Sequence, residues 1–184
     1  VVNAGSGKDQ HPTQALLDVY TLQRSFEKRG GIEQKKIAFV GDLARGRTVR
    51  SLACLLTQYP GVKQYFVAPD ALQIGQDVLD ALKAAGMDFE VSSDFEKIIP
   101  EADAIYMTRI QDEWDKEHES RLIDTAKFHF EARHLQFLKQ DAVIMHPLPR
   151  RREIAPEVAS DPRAVYWMQV RNGMWIRAAL ILAI

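Results

Sequence analysis

Cysteine occurs once in this sequence, at Cys54, so no internal disulfide can staple the fold. That usage suits a reducing compartment, and the cytoplasm is the expected location. Charge of one sign is missing too: 24 Lys and Arg stand against 25 Asp and Glu, a formal net charge of −1. Without an overall basic field the chain is not expected to bind nucleic acid or an anionic membrane surface. Long apolar runs are absent as well. The longest, Ala178 to Ile184, falls far short of the roughly 20 residues that a bilayer-spanning helix needs.

Several motifs are also missing. Gly5-Ser6-Gly7-Lys8 has the look of a phosphate loop, but Val2 stands where the first glycine belongs and Asp9 follows the lysine, so the spacing fails. Gly41 and Gly46 bracket a strand-to-helix turn without the G-x-G-x-x-G pattern that brings a dinucleotide onto the backbone. His118, His129 and His134 form no i,i+4 pair and have no cysteine partner, and no Gly-x-Ser-x-Gly elbow exists. No metal and no cofactor is expected.

What is present is the material for one domain: 184 residues, 46% of them apolar. Pro12 opens a helix whose apolar positions recur through Phe26, and Gly30-Gly31 ends it. Strands are expected at Lys36 to Val40, Gln64 to Ala68, Phe89 to Val91, Ala104 to Met107 and Ala142 to Met145. Helices are expected at Thr48 to Tyr59 and Gln76 to Ala85, with a helical turn from Asp94 and a helical pattern through Ala132, Leu135 and Leu138. This alternation implies an α/β fold, a doubly wound and mostly parallel sheet with helices on both faces.

In such a sheet, ligands bind outside the carboxyl ends of the strands. The residues there are Gly41-Asp42 and Arg47, then Thr108-Arg109-Ile110-Gln111, then His146-Pro147-Leu148-Pro149-Arg150, with His11 just before the first helix. Guanidinium groups grip carboxylates and phosphates in two-pronged fashion, so Arg47, Arg109 and Arg150 together suggest a small dianionic substrate. Each arginine alone could equally pair with a nearby acid. His11 could donate to an oxygen at the helix terminus or simply cap it.

The two ends carry a further expectation. The chain opens without methionine on Val1-Val2-Asn3-Ala4-Gly5 and closes on a helix-like segment from Ile176 to Ile184 with no glycine stop. Both ends read as cut, as in a piece of a longer polypeptide.

His11-Pro12-Thr13-Gln14, Gly41-Asp42-Leu43, Gly46-Arg47-Thr48-Val49-Arg50-Ser51-Leu52, Tyr106-Met107-Thr108-Arg109-Ile110-Gln111 and Met145-His146-Pro147-Leu148-Pro149-Arg150 closely resemble aspartate carbamoyltransferase catalytic chains. Gln169, Asn172-Gly173 and Arg177 fit the same pattern, and the resemblance runs in order through essentially the entire chain. It implies one domain of a two-domain carbamoyltransferase: residues 1–184 as the aspartate-binding domain, with interdomain linking helices at about 12–29 and 174–184, and a carbamoyl-phosphate domain that is not in these residues.

Carried across residue by residue, the resemblance makes His11 the donor to the carbamoyl carbonyl oxygen and Gln14 the acceptor from the carbamoyl NH2 group. Arg47 would hold the α-carboxylate of L-aspartate, and Arg109 with Gln111 its side-chain carboxylate. The carbonyls of Pro147 and Leu148 would orient the NH2 group and the attacking amine, with the Leu148-Pro149 bond cis. The acid-rich segment from Asp112 to Glu119 resembles the family's mobile loop. The partners implied are L-aspartate, carbamoyl phosphate and a homotrimeric parent enzyme, with regulatory or dihydroorotase chains as further candidates.

The departure is the phosphate-holding half: no Ser-x-Arg-Thr motif and no lysine-bearing loop of that kind stand in these residues. The chain alone is therefore expected to bind aspartate weakly and not to turn over. Ornithine carbamoyltransferase, a rival, would show a Ser-Met-Gly loop and a His-Cys-Leu-Pro tetrapeptide, where this chain has Arg109-Ile110-Gln111 and His146-Pro147-Leu148-Pro149. A second rival is a non-catalytic truncated domain that serves as a scaffold or assembly partner.

Overall fold

The computed structural model describes Asn3, Gly5 and residues 10–109 and 126–183. Five strands form one sheet: β1 (Lys36–Val40), β2 (Lys63–Val67), β3 (Asp88–Ser92), β4 (Ala104–Met107) and β5 (Val143–Met145), in the order β3-β2-β1-β4-β5. Every pairing is parallel, with Val40 beside Val67 and Met107 at the end of the register. The helices are α1 (Pro12–Phe26), α2 (Arg47–Leu55), α3 (Gln76–Ala84), the single turn α4 (Phe95–Ile98) and α5 (Tyr166–Leu182).

Strands β1, β2, β4 and β5 are buried almost throughout, whereas the edge strand β3 is partly exposed; the buried side chains divide by alternation between two cores. Ile37 and Phe39 of β1 join Phe66, Tyr106 and the inner faces of α1, α2 and α3. Ala38 and Val40 join Val67, Ile105 and Ile144 beneath α4 and Tyr166. Phe39 stacks on Phe66 with ring centroids 5.4 Å apart and meets Tyr106 edge-on at 5.7 Å, adding roughly 0.5–1.5 kcal/mol per pair to the burial itself.

Two elements differ from the sequence reading. The last helix begins at Tyr166, well ahead of the expected 174, and packs on α1 through Gln169, Asn172 and Gly173. Its apolar residues encircle it, with Trp167, Val170, Met174 and Trp175 more than half exposed, so no period marks the buried side. The pattern through Ala132, Leu135 and Leu138 is a 3-10 helix, Ala132–Gln136, opened by a capping box between Glu131 and His134. His134 is buried between the rings of Phe95 and Phe130. His118 and the acid-rich segment lie outside the described residues.

Strand order reverses direction between β1 and β4, and the crevice at their carboxyl ends is the switch point where such sheets bind ligands. No described helix is long and apolar enough to cross a membrane. Among the described residues no group of His, Cys, Asp and Glu converges to hold a metal.

Candidate functional site

A cleft of about 160 Å³ opens at that switch point, lined by His11, Gln14, Arg47, Thr48, Thr108, Arg109, His146, Pro147 and Leu148. Each wall has a local cause. Pro12 starts α1, and His11 stands at its N-cap, its carbonyl accepting from the N–H groups of Gln14 and Ala15. The His11 N–H donates to Ser51 Oγ at 2.8 Å, which ties α1 to α2. Thr13 Oγ1 lies 3.4 Å from His11 Nδ1; a hydroxyl donating there leaves the ring proton on Nε2. Burial, and then the positive charges of Arg47 and Arg177, hold His11 below its ordinary pKa of 6.5, so the imidazole is neutral at pH 7.

Arg47 is the first residue of α2, delivered by the turn after β1. Asp42, fully buried in that turn, accepts from the Arg45 N–H at 3.1 Å. Just past β4, the Thr108 N–H and hydroxyl both donate to the Val40 carbonyl, at 2.8 and 3.0 Å, and fix the point from which Arg109 departs. Gly41 makes this closeness possible: at φ +116° it has no Cβ to strike the Thr108 hydroxyl and carbonyl.

The third wall follows β5. His146 is buried, and its Nδ1 accepts from the Leu148 N–H at 2.8 Å, so its proton sits on Nε2 and is donated to Glu153 Oε1 at 2.7 Å. Glu153 also accepts from the Arg151 N–H at 2.9 Å. Burial raises the Glu153 pKa, but these bonds outweigh it and the carboxyl lies below its ordinary value. The arrangement holds Leu148 at φ +57°, ahead of a cis Leu148-Pro149 bond. A left-handed non-glycine residue costs about 1–2 kcal/mol, and the bond to His146 helps to offset it.

The sequence candidates His11, Gln14, Arg47, Arg109, Pro147 and Leu148 thus meet in one cleft. Gln111 lies outside the described residues. Arg150, expected on the same rim, turns away. Its Nη1 donates to the Ile154 carbonyl at 3.2 Å and its guanidinium lies over the Tyr166 ring.

Sequence reasoning passed over Asp18, which lies behind Gln14 with no exposed surface. Its carboxyl accepts from Gln14 Nε2 at 2.9 Å, Gln169 Nε2 at 2.6 Å and the Tyr106 hydroxyl at 2.7 Å. Burial pushes its pKa up to about 7 despite those donors and the charge of Arg177. Burial, followed by the neighbouring Asp18 charge, also raises Tyr106. The available signal was an acid on the apolar face of α1, four residues after Gln14. Glu153 was passed over as well, because its bond to His146 forms only when the loop after β5 folds back on the strand end.

A doubly wound parallel domain with arginines and a histidine at its switch point defines a class: α/β domains that take a small anionic ligand at their strand ends. The chain belongs to the aspartate/ornithine carbamoyltransferase family, whose Asp/Orn-binding domain matches residues 33–184. It is 49% identical over 186 residues to aspartate carbamoyltransferase 3, chloroplastic, of Pisum sativum, covering 98% of this chain and 46% of the pea protein. The aspartate carbamoyltransferase catalytic subunit of Vibrio cholerae is 44% identical, with 98% of this chain and 57% of that protein covered.

Among solved structures, aspartate transcarbamoylase from Trypanosoma cruzi in complex with N-(phosphonacetyl)-L-aspartic acid superimposes with a TM-score of 0.87 at 36% identity. That match covers 97% of this chain and 57% of the other. The catalytic subunit of the M. jannaschii enzyme matches with a TM-score of 0.84 at 36% identity, over 97% of this chain and 56% of the other. The chain thus spans about half the length of the relatives it matches.

Proposed function

We propose that this chain is the aspartate-binding half of an aspartate carbamoyltransferase, which joins the carbamoyl group of carbamoyl phosphate to the amine of L-aspartate in de novo pyrimidine synthesis. The observation that carries this reading is the meeting of Arg47, Arg109, His11, Gln14, Pro147 and Leu148 in one cleft.

Two guanidinium groups suit a dicarboxylic amino acid: Arg47 takes the α-carboxylate, and Arg109, with Gln111, the side-chain carboxylate. Neutral His11 donates from Nε2 to the carbamoyl carbonyl oxygen and stabilises the oxyanion that forms as the amine attacks. Gln14 and the carbonyls of Pro147 and Leu148 accept from the carbamoyl NH2 group and the incoming amine. The amine nitrogen bonds to the carbamoyl carbon, the bond from that carbon to the phosphate oxygen breaks, and the phosphate leaves with the surplus proton. Positioning and charge complementarity supply the acceleration.

The chain forms one domain of a two-domain enzyme, with α1 and α5 as the linking helices. The exposed apolar side of α5, from Trp167 to Trp175, is where the carbamoyl-phosphate half packs. The assembled enzyme is a homotrimer working in a reducing compartment, the cytoplasm, in keeping with the exposed thiol of Cys54.

The test is an assay of the full-length protein with carbamoyl phosphate and either aspartate or ornithine. Carbamoyl aspartate forms and citrulline does not; the reverse overturns the reading. The isolated 184-residue chain makes neither product.

A further inference from the structure

Asp18 is a buried carboxyl that the reaction above does not use. Burying it is costly, and an apolar side chain would pack the contact between α1 and α5 without that cost. What Asp18 does is gather amides. Its Oδ1 accepts from Gln14 Nε2 and Gln169 Nε2, while its Oδ2 accepts from the Tyr106 hydroxyl.

A glutamine amide has two ends of nearly equal shape and opposite hydrogen-bonding sense. Gln14 lines the cleft, so the end that faces inward decides whether the cleft meets an acceptor or a donor. A carboxyl oxygen accepts, and it therefore selects the NH2 end. We propose that Asp18 is a positioning residue for the carbamoyl group: by holding the Gln14 nitrogen it keeps the Gln14 oxygen turned to the cleft, where it accepts from the carbamoyl NH2. This rests on the functional reading given above.

Two further bonds keep that carboxyl from swinging away. Gln169 occupies the same Oδ1, and its own Oε1 accepts from the buried His146 N–H at 3.0 Å, so rotating Asp18 would also disturb the loop that carries Leu148. Tyr106 pins Oδ2 from the sheet side. A proton taken up by the carboxyl belongs on Oδ2, shared with the Tyr106 oxygen, and leaves Oδ1 an acceptor. The polarity of Gln14 is therefore the same in both protonation states.

Without this acceptor the amide flips and presents NH2 to NH2, one hydrogen bond lost and one repulsion gained. The test is a double-mutant cycle in the full-length protein, read as kcat/KM for carbamoyl phosphate and for aspartate separately. Asp18→Leu lowers the carbamoyl phosphate value about tenfold to a hundredfold, the scale of one mis-set hydrogen bond, with a smaller effect on the KM for aspartate. Asp18→Asn, which keeps an acceptor oxygen toward the two amides, recovers most of that loss. In the double variant Gln14→Ala/Asp18→Leu the loss is well short of the product of the two single losses, because the part of the Asp18 effect that reaches the carbamoyl group runs through Gln14, leaving only the smaller part carried by Gln169.

Losses that multiply, or an asparagine variant as damaged as the leucine one, overturn the proposal. If Asp18→Leu does not fold, Asp18→Ala closes the same cycle, with the same two outcomes. A parent protein that forms no carbamoyl aspartate sinks the functional reading itself, whereas an active parent with multiplying losses sinks only the role of Asp18.

Discussion

Gly41→Ala is the sharpest single test of how the cleft is built. Gly41 sits at φ +116°, outside the region that L-residues adopt readily, and an added Cβ would lie 2.7 Å from Thr108 Oγ1 and closer still to the Thr108 carbonyl oxygen. The backbone strain is worth about 1–3 kcal/mol, and forcing a methyl group against packed backbone about as much again. Together they remove a sizeable share of the roughly 5–15 kcal/mol that holds a domain folded.

Gly86 supplies the control. It has φ +67°, and an added Cβ meets nothing within 4 Å, so Gly86→Ala costs only about 1–2 kcal/mol, the price of a left-handed residue. Thermal unfolding of the two purified variants reads the difference: the drop in midpoint for Gly41→Ala is at least about twice that for Gly86→Ala, by the proportionality of midpoint to free energy. Because Thr108 anchors Arg109, Gly41→Ala also raises the KM for aspartate, and Gly86→Ala does not. Equal midpoint shifts, or a Gly41→Ala enzyme with the parent KM, would refute the claim that contact between the ends of β1 and β4 shapes the cleft.

Arg47→Lys and Arg109→Lys keep the charge but lose the fork, so each raises the KM for aspartate about ten- to a hundredfold, the worth of one charge-assisted hydrogen bond; steady-state kinetics showing either lysine enzyme at the parent KM removes that arginine from carboxylate binding. Asp18 makes a pH prediction. Its pKa is about 7 in the fold against an ordinary 3.8, so between those values the folded chain holds a proton that the unfolded chain releases. Its contribution to stability is fully present below pH 3.8 and is lost as pH rises through about 7. Urea midpoints measured across that window fall less steeply for Asp18→Asn, which stays neutral, than for the parent; parallel curves would show that the Asp18 carboxyl titrates alike in both states.

Much of the fold was legible because its signals are local. The strands announce themselves as short apolar runs closed by Gly41, Pro69 or Thr108, and their alternation with helices implies the parallel sheet. Helix α5 was only partly legible, since a ring of apolar residues carries no period. Arg150 shows the limit for the site: by position it matches Arg47 and Arg109, yet it lies on Tyr166. Nothing in its neighbours along the chain distinguishes a guanidinium bound for a cleft from one bound for a ring.

The sequence by itself determined where the strands end, and hence that His11, Arg47, Arg109 and the Pro147-Leu148 pair were candidates, because period and turn chemistry act over a few residues. Only the tertiary structure decided that Gly41 must be glycine while Gly86 need not be, that Asp18 lies behind Gln14, and that the His146 ring donates a hydrogen bond to Glu153. The Gly41 contact with Thr108 and the Gln169 bond that fixes Asp18 bring groups distant in the chain within 3 Å of one another, and the Glu153 bond to His146 needs the loop after β5 folded back; such distances exist only once the sheet has assembled.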